Sequence, residues 1–329
     1  MNREQIPEMN LTSPSQVRAL LIEIGVHPSK SLGQNFLVDR NVLNILLETA
    51  NLSRDDKVLE VGPGLGVVTE QLAGRVQHVA GVEKDKRLFD FLKKRFKDEA
   101  AVELICEDML DINIDDLQGS RSTRGTTSTS SLLRRDYGGQ AGQARVGHGT
   151  SERFRLNKVV SNFPYSVASR IVMNLARVDD PPSEIVGTLQ QEVAERLAAQ
   201  VGNWKYGILS VWSQLAYRVE LVKSVRPTCF WPRPEVGSVI VKMTRHGVSL
   251  PPTRERTFFY EITKHAFMHR RKQLAAIFSR APGHLNVPLD RARNVLDELG
   301  INTKARPENL TVKEWLDVIF RLTHGSQRY

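Results

Sequence analysis

Asn162-Phe163-Pro164-Tyr165 follows the short apolar run Lys158-Val159-Val160-Ser161, and its residue types suit the handling of a weakly nucleophilic amine. An amine whose lone pair is delocalised into a ring needs acceptors for its N–H bonds before its nitrogen can become tetrahedral. The Asn162 side-chain oxygen and the Pro164 carbonyl are expected to be those acceptors, with the proline fixing the turn. Tyr165 adds a flat face on which an unstacked base can lie. An ordinary Asn-Pro turn with a packed tyrosine is the plainer reading of the same residues. A second constellation lies upstream. Gly62-Pro63-Gly64-Leu65-Gly66 closes the run Val58-Leu59-Glu60-Val61, and Glu83 stands at the tip of Val79-Ala80-Gly81-Val82. A strand, a glycine turn, a helix and an acidic strand end describe the first half of a nucleotide-cofactor site. The glycines let the backbone approach a ligand where a β-carbon would clash, and Glu83 would accept from two ribose hydroxyls.

Such groups must sit at the carboxyl ends of strands. Val102 to Cys106 reads as a third strand, so Asp108 follows it at the same edge, where capping a helix is its plainer role. Cys106 is expected to pack in that strand. A helix begins at Ser13-Pro14, carries Val17, Leu20, Leu21 and Ile24 at helical period, and stops at Gly25. Strands and helices then alternate to about Lys223, which predicts an α/β fold with a parallel, doubly wound sheet. After a strand from Val236 to Met243, His246 to Thr253 holds two prolines and reads as a linker. Phe258 to Phe278, Leu289 to Leu299 and Val312 to Leu322 read as three amphipathic helices. The expected division is a Rossmann-like domain over 1–245 and a small helical domain over 246–329. His265 and His269 lie four apart on one helix without a third ligand, so no metal site is expected.

The turn reads G-x-G-x-G with an acid two residues before it, and so resembles the S-adenosylmethionine-dependent methyltransferases more than the dinucleotide enzymes. The Asn162 tetrad resembles the catalytic motif of methyltransferases acting on exocyclic amines of nucleobases. Together with Ser31-Leu32-Gly33-Gln34-Asn35-Phe36-Leu37, Thr228-Cys229-Phe230-Trp231-Pro232-Arg233-Pro234-Glu235-Val236-Gly237-Ser238, Phe267 to Leu274, and Arg306-Pro307-Glu308-Asn309-Leu310-Thr311, these motifs resemble the ribosomal RNA adenine dimethylase family, the KsgA type, from Ser15 to about Ile319. The resemblance implies S-adenosylmethionine as cofactor, held by Asn35, Leu37, Gly62, Gly64, Glu83, Asp108 and Asn162. It implies catalysis by Asn162, Pro164 and Tyr165, a base pocket walled by Phe230 or Trp231, and RNA contact through Arg270, Arg271 and Lys272. The implied reaction is dimethylation of two adjacent adenosines in small-subunit (16S) ribosomal RNA within an immature subunit, by a monomer that needs no metal. Alternatives are an Erm-type methylase of large-subunit RNA, a non-catalytic RNA-binding or transcription factor on the same fold, and a NAD-dependent oxidoreductase. Phe163, Arg233 and Gly237 depart from the family pattern, where a smaller aliphatic residue, proline and aspartate are frequent.

Composition agrees with such a partner. The 329-residue chain carries a formal charge of +9, unevenly spread. Residues 1–117 hold 14 basic and 20 acidic side chains, while 246–329 hold 14 and eight. The half expected to face the substrate is therefore basic, as phosphate neutralisation requires. Residues 118–155 depart from the family: this stretch is rich in Gly, Ser, Thr and Arg, carries seven arginines, and reads as a mobile basic loop near the active face. Two cysteines offer neither a disulfide framework nor a zinc set. With no apolar stretch of signal-peptide or membrane-spanning length, a cytoplasmic setting is expected.

Overall fold

The computed structural model describes residues 10–29, 32–117, 156–247 and 250–324. The basic stretch 118–155 and Ser31 lie outside the described residues. The strands are β1 (Phe36–Leu37), β2 (Lys57–Val61), β3 (His78–Glu83), β4 (Val102–Cys106), β5 (Lys158–Asn162), β6 (Glu184–Gln190), β7 (Tyr217–Val225), β8 (Phe230–Trp231) and β9 (Ser238–Arg245). The helices of the first part are α1 (Pro14–Glu23), α2 (Arg40–Ala50), α3 (Val67–Ala73), α4 (Lys86–Arg95), α5 (Ile114–Leu117), α6 (Ala168–Arg177), α7 (Gln191–Ala198) and α8 (Ile208–Ala216). Those of the last part are α9 (Thr253–Met268), α10 (Leu274–Phe278), α11 (Leu289–Glu298) and α12 (Val312–His324).

Among the described residues seven strands form one sheet in the order β4-β3-β2-β5-β6-β9-β7. The first five run parallel, β9 runs antiparallel to β6, and β7 is antiparallel to β9 in turn. Both faces of the central strands are covered, which is why they read as near-continuous apolar runs. Neighbouring residues alternate between the faces. Val58 and Val160 pack with Leu43, Leu46 and Leu47 of α2, while Leu59 and Val159 pack with Ile171, Val172 and Leu175 of α6. The sequence order reverses between β2 and β5, and at such a switch point two strand ends diverge to leave a crevice. Local signals set the helix entries. Asp39 caps α2 by accepting from Val42 N at 3.0 Å, and Asp85 caps α4 through Arg87 N at 2.9 Å. Lys93, Lys94 and Arg95 end α4 on the side its dipole favours.

Two expectations about the elements are corrected. Cys106 is exposed, because β4 is the sheet's edge strand and Cys106 ends it. The helix expected over Phe258 to Phe278 is two helices, broken at His269–Gln273. There Lys272 N turns back to the His269 carbonyl at 2.8 Å, and Leu274 N goes instead to the Ala305 carbonyl at 2.9 Å. The break leaves Met268, Arg271 and Lys272 in solvent and sends Leu274 and Phe278 into the core. That core is shared: Tyr206, Val211 and Trp212, from α8 and the loop before it, join Phe259, Phe278 and Trp315 in one cluster. Trp212 meets Phe259 edge-on at 5.4 Å, and buried Arg256 of α9 pairs with Asp179 after α6.

Candidate active site

The strand ends at the switch point border a cleft open to solvent. Asn35, Leu37, Gly62, Gly64, Glu83, Asp108 and Asn162 all line it, so the residues singled out for a cofactor come together from five separate segments. The glycine turn holds its shape by left-handed backbone at Gly62 (φ +66°) and Gly64 (φ +64°). A side chain at Gly64 would also stand 3.1 Å from the Phe36 ring. Gly62 N donates to the Val82 carbonyl at 2.8 Å, stitching the turn to β3.

Glu83 is buried, and each of its oxygens accepts one backbone N–H: Gly64 N at 3.0 Å and Asp85 N at 2.9 Å. Burial raises its pKa, and those N–H groups only partly offset this. Each oxygen keeps a lone pair for a further donor, as a vicinal diol requires. Behind it, Glu60 is fully buried and accepts from Thr69 Oγ1 at 2.6 Å. Burial, with the nearby Glu83 charge adding to it against the Thr69 bond, pushes Glu60 up to about 8. Asp108 is held lower. Burial raises its pKa, but Lys84 Nζ at 2.7 Å and Leu110 N at 2.9 Å outweigh that.

Asn162 ends β5 directly beside Thr188 of β6 in the parallel register. Thr188 Oγ1 donates to Asn162 Oδ1, and Asn162 Nδ2 donates to the Asn35 carbonyl at 2.8 Å. The amide is therefore fixed in one orientation with one Oδ1 lone pair uncommitted by this pair of bonds. Pro164 requires a correction. Its carbonyl accepts Val167 N at 3.2 Å and Ala168 N at 3.0 Å, closing the turn that leads into α6, so both lone pairs are engaged inside the chain. The Phe163 carbonyl, one residue earlier, takes no such turn bond.

Tyr165, Phe230 and Trp231 are not among the residues that line the cleft. Tyr165 is 9% exposed; its hydroxyl shares a hydrogen bond with Ser238 Oγ, and burial pushes its pKa to about 12 against that bond. Phe230 packs edge-on against the Tyr165 ring at 6.1 Å. The loop carrying Phe230 and Trp231 is tied to the Asn35–Leu37 wall of the cleft, since β8 pairs antiparallel with β1 through Phe36↔Trp231 and Leu37↔Phe230. Of the three basic residues, Arg270 is engaged within the protein. It donates to the Trp204 carbonyl at 2.7 Å and pairs with Glu308 at 3.5 Å. Arg271 and Lys272 are exposed. Among the described residues no group of three or more His, Cys, Asp or Glu side chains could hold a metal ion, and no helix is long and apolar enough to cross a membrane. Sequence reasoning missed Thr188, because the β5–β6 register that puts it against Asn162 has no local signature.

Residues 27–324 match the ribosomal RNA adenine dimethylase family. A protein of Pediococcus pentosaceus named ribosomal RNA small subunit methyltransferase A is 33% identical over 316 residues, 96% of each chain. Its namesake in Natranaerobius thermophilus is 32% identical over 98% of this chain and 100% of its own. Among solved structures, a dimethyladenosine transferase from Plasmodium falciparum superposes with a TM-score of 0.65 at 22% identity, covering 87% of this chain and 97% of its own. The 23S rRNA methyltransferase ErmE does so with a TM-score of 0.58 at 24% identity, over 88% and 100%. At those identities the two structures speak for the Rossmann-like fold alone. With a match spanning the cleft, the tetrad and the helical end together, the chain belongs to the ribosomal RNA adenine dimethylase family.

Proposed function

We propose that this protein transfers methyl groups from S-adenosylmethionine to the 6-amino groups of two adjacent adenosines near the 3′ end of small-subunit ribosomal RNA. The observation that carries the reading is the placement of Asn162, whose oriented amide stands at the rim of the cleft lined by Glu83 and Asp108. The cleft's donor set fits the cofactor. Glu83 would hold the ribose diol, Asp108 the adenine amine, and the glycine turn would let the backbone lie against the ligand. When bound, S-adenosylmethionine supplies a methyl group already activated by its sulfonium.

The protein's task is then positioning, together with acceptors aimed at the reacting nitrogen. Asn162 Oδ1 would take one N–H of the target amine, drawing its lone pair out of the ring. With the Pro164 carbonyl engaged in the turn that leads into α6, the second acceptor is assigned to the Phe163 carbonyl. The flipped adenine would lie against the Tyr165 side of the turn, backed by Phe230.

The family relatives named for the small subunit, at 32–33% identity over nearly the whole chain, favour that RNA over the large-subunit alternative. The intact tetrad favours catalysis over a purely binding role. The substrate is assigned to an immature subunit and the enzyme to a cytoplasmic monomer. The test is incubation with methyl-labelled S-adenosylmethionine and immature small subunits, followed by mapping of the modified bases. Label on two adjacent adenines of the small-subunit RNA is the expected result. Label on large-subunit RNA alone, or none, would overturn the assignment.

A further inference from the structure

Trp204 stands out on the surface and is not among the residues that line the cleft. It is 76% exposed, in the loop between α7 and α8, and Met268 at the end of α9 is 72% exposed beside the same basic segment. A single exposed apolar side chain is ordinary, so what Trp204 meets is read from how its loop is held and from what surrounds the ring.

The loop is held in place while its tryptophan is not. Arg270 donates to the carbonyls of Trp204 at 2.7 Å and Asn203 at 3.4 Å. Gly202 N donates to the Glu308 carbonyl at 3.2 Å. Tyr206, two residues on, is buried and donates its hydroxyl to the Leu310 carbonyl at 3.0 Å. Four anchors therefore fix the backbone from the helical side, and the indole projects from a rigid base. Little ordering entropy remains to be lost when a partner arrives.

The surroundings decide the partner's chemistry. Lys205 Nζ lies over one face of the Trp204 ring, 5.0 Å from its centroid, and is paired with Glu195, which leaves the other face for a base and the phosphates to the neighbouring cations. Arg270, which grips the loop, is followed directly by exposed Arg271 and Lys272. The segment 246–329 carries 14 basic and eight acidic side chains. An aromatic face flanked by cations is how proteins hold unpaired nucleotides, with the base on the ring and the phosphates on the cations. A protein partner would require a broader apolar patch than one indole and one methionine among charges.

From this arrangement we infer that Trp204 is a stacking platform for an unpaired nucleotide of the RNA substrate, with Arg271 and Lys272 on the adjoining phosphates. None of the three lines the cleft, so the platform would hold a nucleotide other than the methylated one. Arg270 is a positioning residue that presents the indole. The inference rests on the RNA-methylating reading above and adds a second point of attachment to it.

The test uses the full chain with Trp204→Ala, Trp204→Leu and Trp204→Phe. Affinity is measured for a short single-stranded oligoadenylate and for immature small subunits, with S-adenosylmethionine binding as a check on the fold. Stacking predicts that Ala and Leu weaken both RNA and particle binding by about five- to 150-fold, that Phe restores most of it, and that cofactor affinity is unchanged. Wild-type affinity in the Ala variant would overturn the platform, as would a Leu variant as good as Phe. Particle binding that falls while oligoadenylate binding holds would assign Trp204 to a protein contact and equally overturn it. Methyl transfer by the wild type is run in parallel. Its absence would reject the functional reading itself, whatever the Trp204 variants do.

Discussion

Gly187 and Phe163 divide one space between them. A β-carbon on Gly187 would lie 2.5 Å from the Phe163 ring and 2.7 Å from the Ser161 carbonyl. The glycine in β6 is therefore what admits a phenylalanine into the Asn162–Tyr165 turn. Gly187→Ala is expected to destabilise the fold by about 1–3 kcal/mol, the usual consequence of overpacking a core, and to lower methyl transfer by displacing Asn162. Adding Phe163→Leu should recover part of the stability, because the ring clash goes while the Ser161 contact stays. Denaturant melts of the two single variants and the double check this. Full additivity of the two changes would show that the residues do not compete for space.

The second relationship concerns Thr188, whose hydroxyl orients the Asn162 amide. Thr188→Val keeps the shape and removes the donor. Methyl transfer at saturation is expected to fall about tenfold, a typical size for losing one hydrogen bond to a reacting group's holder. Thr188→Ser should retain most activity, and calorimetric affinity for S-adenosylmethionine should be unchanged in both. Asn162→Ala should remove transfer and also weaken the cofactor, since Asn162 Nδ2 is the tie to the Asn35 loop.

These pairs mark where the sequence is legible and where it is not. Glycine turns, strand-end acids and the tetrad are local patterns, so the cleft and its lining could be read before any geometry. The Thr188–Asn162 and Gly187–Phe163 contacts come from the register of two parallel strands separated by α6, which no short window of residues encodes. Pro164 fails for a related reason: which carbonyl a turn consumes depends on how tightly the next helix starts. The continuous helix expected at Phe258 to Phe278 has helical periodicity throughout. It breaks because Leu274 finds the Ala305 carbonyl, a tertiary partner that periodicity does not contain. Cys106 reads as a core residue by type, and only the strand order shows it at an edge.

Tyr165 and Ser238 give a further prediction. Tyr165→Phe keeps the ring but leaves buried Ser238 without the phenol partner, so stability should fall by about 1–2 kcal/mol while methyl transfer largely persists. Tyr165→Ala removes the ring packed on Phe230 and should lose both. Thermal melts and single-turnover rates on the same preparations separate the two effects. Equal loss of transfer in both variants would assign the function to the hydroxyl.

Glu60 should make stability depend on pH in the sense opposite to an ion-paired acid. Its pKa is raised from 4.5 to about 8 in the folded protein, so the folded state holds a proton that the unfolded chain releases. The stabilisation is complete below 4.5 and is lost as pH rises through about 8. Across that window stability should decline by up to about 1.4 kcal/mol per pH unit from this group. Glu60→Gln keeps the shape and the Thr69 contact without a titrating proton, and should flatten the decline when urea midpoints are compared along the pH series. An identical pH profile in wild type and variant would remove Glu60 from the account.

Glu83 carries the last prediction, because the same burial bears on ligand binding. To accept from a ribose diol while already accepting Gly64 N and Asp85 N, its carboxyl must be ionised. Its raised pKa means that protonation begins above the ordinary carboxylate range. Affinity for S-adenosylmethionine should therefore be full at neutral and higher pH, and should weaken on acidification sooner than an exposed glutamate would allow. Glu83→Gln offers one acceptor oxygen in place of two and should bind the cofactor about ten- to a hundredfold more weakly, the size of losing a charged hydrogen-bond acceptor. Its affinity should also lose the acid-side dependence. Calorimetric titrations of wild type and variant across the acid limb read both effects at once. A variant that binds weakly yet keeps the wild-type pH profile would place the titrating group elsewhere, with Asp108, whose pKa is lowered by Lys84 and Leu110 N, titrating at the more acid end.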